Sequence, residues 1–589
     1  MRTRTRMQIQ AAIAAAVAAV SASGAAVAGK PKADLVVFGG RIYTGDDQEP
    51  WVEAVAVHDG LVVARGKTKK ILKRAGADAT RIDLGGRMAM PGVVDAHSHP
   101  LSGAIKNLFE CNFPFSSGPD DIAATVKGCV ARAGDDEVWI IGGQWDSNFF
   151  VNHKIGSPRK FLDKMSGDKA VALADDSGHN SWVNTKALKL LGVGADTLDP
   201  AGGRIGREAD GKIPNGLLEE TASQLAEAQA FKRPPEQLAA GVAEMQRLLN
   251  GFGITGVKIA STPDEHLEAI SAADKAGGLT LHVTTSLWTK YGARGEPLDI
   301  TAYESKRDRY KSENVNANAV KIFLDGVPTA ARTAAMLAPY VADAHFPPDY
   351  LGEMHLSEEL LTTDVTALDA AGFAIKIHTA GDGSVRRALN AIEKARAANG
   401  MAGKMHELAH AGYVDPTDVP RFEALNVAPD FSPYIWNPSP IIDSVVQAVG
   451  PRGEHYWPTK DLVENGAVVI AGSDWPSAVE TPSPWPGLES LVTRRAPNGD
   501  YEGVLWGEQA VSLQMALEVF TEDNATALGF EKVTGRIEIG AYADMIVLSQ
   551  NLFDVDPSKI SETEVLLTLF RGKPVAAREP FSTESENNE

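Results

Sequence analysis

Residues 90–100 read Met-Pro-Gly-Val-Val-Asp-Ala-His-Ser-His-Pro, and this stretch constrains the chain more than any other. The apolar pair Val93-Val94 after a Pro-Gly turn predicts a short buried strand. Strand side chains alternate between faces, so Asp95, His97 and His99 project to one side. Two imidazoles sharing a face at a strand end can hold one metal ion through their ring nitrogens. A bare His-x-His is as readily a pair of hydrogen-bonding core histidines, so the rest of the chain has to decide.

The same pattern recurs downstream, always at the carboxyl end of an apolar run. Phe373-Ala-Ile-Lys-Ile-His378 and His406-Glu-Leu-Ala-His410 end on histidines, and Val468-Val-Ile-Ala-Gly-Ser-Asp474 ends on an aspartate. Val320-Lys-Ile-Phe-Leu-Asp325 sets Lys321 in an otherwise apolar strand, where a lysine is costly unless its charge is paired or removed. Asp325 is one available partner for it. Runs near 93–97, 255–259, 280–285, 319–324, 374–378, 405–410, 426–430 and 468–473 alternate with helical stretches such as Pro235 to Leu249 and Ser384 to Ala397. Eight such runs predict an α/β fold, a parallel (β/α)8 barrel of the TIM type. Active sites of these barrels lie at the carboxyl ends of the strands, where all these residues fall.

A chain of 589 residues exceeds a barrel of roughly 250, so additions are needed. The first strand-to-strand gap is too long for one crossover and predicts an insertion over the barrel mouth at 115–235. Strand-like stretches at both ends, over 29–88 and 533–577, predict a composite β-sandwich, since neither has enough strands alone. The barrel then occupies 89–114 and 236–532, and the acidic tail 578–589 reads as disordered.

The order His-x-His, Lys, His, His, Asp resembles the amidohydrolase superfamily, and more closely its YtcJ-like (amidohydrolase-3) branch, relatives of N-substituted formamide deformylase. The segments carrying the likeness are Gly-Gly-Gln-Trp145-Asp146, Gly-His179-Asn-Ser-Trp182-Val-Asn184, Lys321-Ile-Phe-Leu-Asp325-Gly, His378-Thr-Ala-Gly-Asp382 and Gly-Ser-Asp474-Trp-Pro476. One departure is Ala409, where the branch carries a glutamate before the histidine. The resemblance implies a metal-dependent hydrolase of a non-peptide carbon–nitrogen bond in an amide, formamide or carbamate. It places His97, His99 and Asp474 on one divalent metal and His378 and His410 on a second. Carboxylated Lys321 would bridge them. Zinc is the expected metal on imidazole-rich ligation, with iron, manganese or cobalt as alternatives. Asp474 would act as general base, then general acid. His179, Trp145 and Trp182 match segments lining the pocket, which implies substrate contact; an aromatic core with a hydrogen-bonded histidine is the alternative. Arg332 and Asp325 would orient substrate or order a loop, and Asp382 would fix the loop after His378. His406, His282, His58 and His153 read as structural or surface residues. Two other readings compete: a mononuclear deaminase or ester-cleaving hydrolase on the same fold, and a non-catalytic periplasmic binding protein.

A formal charge of −20 argues against nucleic acid and against an anionic membrane surface. The expected partners are a small-molecule substrate and, at most, a second copy of the chain in a homodimer. Arg2, Arg4 and Arg6 precede an alanine-rich apolar run and then Ala26-Val-Ala28, the pattern of a signal peptide cut after residue 28. The apolar core is short for a membrane anchor, so a periplasmic or secreted protein without stable membrane insertion is expected. The two cysteines, Cys111 and Cys129, leave pairing open.

Overall fold

The computed structural model describes residues 32–582 apart from 115, 147–148, 177, 201, 227–232, 290–294, 344, 436, 478 and 500. The expected signal peptide therefore lies outside the described residues. Eight parallel strands pair in chain order: β1 (Val93–Ser98), β2 (Ile254–Thr262), β3 (His282–Trp288), β4 (Val315–Phe323), β5 (Ala374–Thr379), β6 (His406–His410), β7 (Val427–Phe431) and β8 (Ile470–Ala471). Each expected barrel strand is present, because runs of Val, Ile and Leu suit a parallel sheet covered by helices.

The seam between β8 and β1 is closed by the chain leaving β8. Asp474 N–H donates to the His97 carbonyl at 2.7 Å, and His99 N–H to that of Trp475 at 2.8 Å. Asp95 completes the seam, accepting from the Ser473 backbone N–H at 3.2 Å and its hydroxyl at 2.7 Å. A side chain at Gly472 would meet His97 N at 2.2 Å, so bringing Asp474 beside His97 requires glycine there.

Helix Pro235–Gly251 starts on a proline and buries Leu238, Val242, Met245 and Leu249 on one face. They share one apolar cluster with Ile254 and Val257 of β2. Each such side chain contributes roughly 1.5–3 kcal/mol over leaving it exposed. Among the described residues, no helix is long and apolar enough to cross a membrane.

The β-sandwich expected from both chain ends is built on one continuous mixed sheet of eight strands. Its halves join where Ala89–Pro91 pairs with Met545–Val547. Along Trp51–His58, Val55 and Val57 face one apolar cluster while Ala54 and Ala56 face another, so both faces are covered. His282 Nε2 lies 2.9 Å from Asp544 Oδ2, which ties this sheet to the barrel and makes His282 structural. Residues 578–582, expected in the disordered tail, are ordered: Arg578 N–H donates to the Leu566 carbonyl and Phe581 packs against the sheet.

The insertion carries a six-stranded sheet running from Cys111–Asn112 through Trp139–Trp145, Ala170–Asp175, Asn180–Val183 and Pro214–Glu220 to Gly203–Arg207. It begins before the expected residue 115, because Cys111 already pairs with Gly142. Cys111 and Cys129 form a disulfide, with Cα atoms 5.9 Å apart, that pins this first strand to helix Pro119–Arg132. Arg233 donates to Glu110 at 2.5 Å, so the two ends of the insertion meet.

Candidate metal centre

β1, β4, β5, β6 and the turn after β8 deliver His97, His99, Lys321, His378, His410 and Asp474 to one end of the barrel. His97, His99 and Asp474 offer ligand atoms all within 4.8 Å of one another. Asp474 Oδ1 is 3.4 Å from His97 Nε2 and 3.3 Å from His99 Nε2. The His410 ring centroid lies 4.9 Å from that of His97 and 4.5 Å from that of His378. His410 and Asp474 hold φ of 71° and 58°, left-handed backbone that costs a non-glycine residue on the order of 1–2 kcal/mol. Neighbouring hydrogen bonds hold both: Trp457 Nε1 donates to the His410 carbonyl at 2.9 Å, and Ser477 N–H to that of Asp474 at 2.8 Å.

Carboxylates behind two of the histidines set their tautomers. His97 Nδ1 is 2.6 Å from Asp430 Oδ2, and His378 Nδ1 is 3.0 Å from Asp325 Oδ1. A carboxylate accepts, so each Nδ1 carries the hydrogen and each Nε2 keeps its lone pair for a ligand. His97 Nε2 is buried with no hydrogen-bond partner. An orphaned buried lone pair beside two further nitrogen and oxygen donors fits a divalent cation.

The electrostatics agree. Burial, then the charge of Lys376, pushes His97 well below the ordinary histidine range. Burial, then His378, does the same to His410. Burial opposes charge on Asp474, but His97, His99 and Lys321 together hold it below the usual carboxylate range. Burial thus favours the neutral imidazole at His97, His378 and His410. Lys321 is buried and pushed down to about 8, by burial first and then Lys376. It acts electrostatically on His97, His378, His410 and Asp474, so it sits among them.

The remaining candidates divide. His179 reaches the site from the insertion, its ring 5.8 Å from that of His378. Trp145 and Trp182 are buried in an aromatic cluster: Trp182 packs against Phe149, Phe150 and Phe161, with Trp145 edge-on at 6.4 Å. They form the apolar core of the insertion, in place of the substrate contact expected for them. Arg332 orders its loop, donating to the Val341 carbonyl, pairing with Asp343 at 2.7 Å and covering the Phe346 ring. Asp325 is fully buried and holds His378; it also accepts from Ala335, Ala380 and Gly381 N–H and from the Ser384 hydroxyl. Its bonds fix the His378 ring and the loop that follows it. Asp382 accepts from Leu337 N–H at 2.7 Å, so it ties the loop after His378 to the loop after β4. His406 bonds Asp369 at 3.1 Å and is structural.

Asp430, Lys376, Glu407, Lys258 and Glu220 were not legible as site residues. Lys376 and Lys258 carried the signal that singled out Lys321, a lysine inside an apolar strand.

Glu220 Oε2 lies 2.7 Å from His179 Nδ1, and its other oxygen accepts from the Thr333 hydroxyl at 2.8 Å. Burial opposes both charges, but each partner outweighs it: His179 is pushed up to about 9 and Glu220 down to about 2. The histidine's share of stability is complete below its ordinary 6.5 and is lost as pH rises through about 9. The glutamate's share is complete above its ordinary 4.5 and is lost as pH falls through about 2. Both shares express one ion pair that needs both charges, so Glu220→Gln should destabilise metal-free protein by on the order of 2 kcal/mol near pH 5.5 and far less near pH 10, where His179 has lost its proton. Urea unfolding at the two pH values checks this; an equal loss at both would show that no charge pair is involved.

Comparison with known proteins places this geometry. The chain is 28% identical over 556 residues to the putative amidohydrolase YtcJ of Bacillus subtilis, covering 91% of this chain and 98% of that one. It is 24% identical to N-substituted formamide deformylase of Arthrobacter pascens, covering 92% and 97%. Its fold is similar to that of an uncharacterised metal-dependent hydrolase of Pyrococcus horikoshii, with a TM-score of 0.69 at 21% identity, covering 89% of this chain and 99% of that one. The family model described as "Amidohydrolase family" matches residues 80–576. With the barrel and that match together, the chain belongs to the amidohydrolase family.

Proposed function

We propose that the protein is an exported metal-dependent hydrolase that cleaves a carbon–nitrogen bond other than a peptide bond, in an amide, formamide or carbamate. One observation carries the reading: His97, His99 and Asp474 bring possible ligand atoms within 4.8 Å of one another, and His97 presents a buried nitrogen with no hydrogen-bond partner. Similarity to N-substituted formamide deformylase supports the choice of bond.

His97, His99 and Asp474 would hold one divalent ion, and His378 and His410 a second, with Lys321, once its neutral amine has added CO2 and lost a proton, as a further anionic ligand. Bound there, such ions supply Lewis-acid polarisation of a carbonyl and acidify water so that it reacts at neutral pH. Zinc suits the imidazoles best; iron, manganese and cobalt remain chemically admissible. The ionised Asp474 takes the proton from the attacking water and delivers it to the departing nitrogen. The carbon–oxygen bond forms, the carbon–nitrogen bond breaks, and an acid and an amine leave. His179, held by Glu220, supplies substrate contact from the insertion.

A mononuclear reading has one observation in its favour: only His97, His99 and Asp474 form a compact three-ligand set near the barrel mouth among the described residues. Metal analysis of purified protein separates the two, with about two ions per chain expected. A screen of N-formyl, N-acyl and carbamate compounds, with and without chelator, tests the reaction. Turnover that survives complete metal removal would end the proposal.

Export rests on the arginine-rich start, the alanine-rich run and Ala26-Val-Ala28. The Cys111–Cys129 disulfide suits an oxidising compartment. Removing residues 1–28 should trap the protein in the cytoplasm at unchanged specific activity. Mature protein that keeps its first residues within the inner membrane would favour an anchor.

A further inference from the structure

Beneath the ligands, the barrel interior holds four charged side chains that the hydrolytic reading does not use. Lys258 of β2, Lys376 of β5, Glu407 of β6 and Asp430 of β7 are all fully buried. Lys258 pairs with Glu407, Glu407 with Lys376 at 2.7 Å, and Lys376 with Asp430. Asp430 Oδ2 in turn lies 2.6 Å from His97 Nδ1. Two cations and two carboxylates make a neutral row that ends on a metal ligand. Taking four charges out of water is expensive, and apolar side chains of similar volume often serve a fold as well or better. Stability alone is a weak reason for the row.

Lys376 is its hub. Its ammonium donates to Asp430 Oδ2 and, at 3.2 Å, to the Ala96 carbonyl, and Glu407 Oε2 lies 2.7 Å away as an ion pair. Ala96 precedes His97, so Lys376 holds both the carboxylate that grips the His97 ring and the peptide that carries it. Lys258 adds a second anchor, donating to Glu407 and, at 3.2 Å, to the Ala527 carbonyl.

We propose that Lys376 is a positioning residue: through Asp430 and the Ala96 carbonyl it locks the His97 imidazole in one tautomer and one rotation, with Nε2 free for a metal ion before the ion arrives. The proposal rests on reading His97 as a ligand. It predicts that Lys376 matters through His97 and not only through the fold.

The test compares Lys376→Met, Asp430→Asn and the double variant Lys376→Met/Glu407→Gln. Lys376→Met alone leaves buried negative charge uncompensated and should lower the melting temperature. The double variant keeps one cation, Lys258, and one carboxylate, Asp430, so it should recover most of that loss. If Lys376 positions His97, Co(II) still binds all three variants about 10–100-fold more weakly than wild type. The visible spectrum of the bound Co(II) also changes. In metal-free protein, 15N-histidine signals assigned through His97→Gln should show one Nδ1–H tautomer in wild type and a mixture in the variants. Wild-type Co(II) affinity and spectrum in the restabilised double variant would overturn the proposal and leave the row a folding device. Wild-type protein that binds no Co(II) would refute the metal reading itself, while the tautomer comparison would still decide whether Lys376 orders His97.

Discussion

Lys321→Ala should lose about three orders of magnitude or more in hydrolytic rate and at least one bound metal ion per chain. Lys321 is buried, and among the described residues no carboxylate lies within ion-pair distance of its ammonium. The Phe323 ring centroid lies 5.0 Å from its Nζ. Asp325, the partner a purely structural lysine would want, is already engaged by His378, three backbone N–H groups and the Ser384 hydroxyl. With its pKa pushed down to about 8, Lys321 offers far more neutral amine near neutral pH than an ordinary lysine, and that is the form that adds CO2. Short carboxylic acids that can occupy the vacated position should partly restore the rate to Lys321→Ala. Lys321→Arg should not be active, because a guanidinium keeps its charge and cannot form the carbamate. Electron density beyond Nζ in a fully metallated crystal is the deciding observable. A bare ammonium there would defeat the carbamate and favour the mononuclear site.

His97→Ala should take hydrolysis to background and strip metal from its side of the site, yet leave a folded barrel. The second half of that expectation comes from the charge row: Lys258, Glu407, Lys376 and Asp430 balance without the imidazole, so removing it strands no net charge. What remains is the cost of a cavity, about 2–3 kcal/mol. His99 is partly exposed, so His99→Ala should cost less stability for a similar loss of metal. Metal content and circular dichroism measured together separate these effects. A His97→Ala protein with wild-type metal content and rate would place the site elsewhere.

All eight barrel strands were legible as apolar runs, and so were the residues at their carboxyl ends, because strand periodicity and the barrel's single active end are local rules. Trp145 and Trp182 show where local rules stop. Their motifs say that aromatic side chains are present, but not that the insertion turns Trp182 inward onto Phe149, Phe150 and Phe161, and Trp145 onto Phe150 and Trp182. The insertion's start was misplaced by a few residues for the same reason, since the pairing of Cys111 with Gly142 is not a local property.

The amino-acid order alone determined the barrel and the set of candidate ligands, because each follows from spacing within one strand and its carboxyl end, while the hydrolytic chemistry was what the family resemblance implied. Only the tertiary structure decided what stands behind the ligands. Lys376 meets Asp430 from 54 residues away and the Ala96 carbonyl from 280. Glu220 meets Thr333 across 113 residues. Such partners are chosen by which strand faces which across a closed barrel and by where an insertion folds back. In a low-dielectric interior that choice of partner decides whether a buried lysine is an ion-pair hub, as Lys376 is, or an amine with lowered pKa, as Lys321 is.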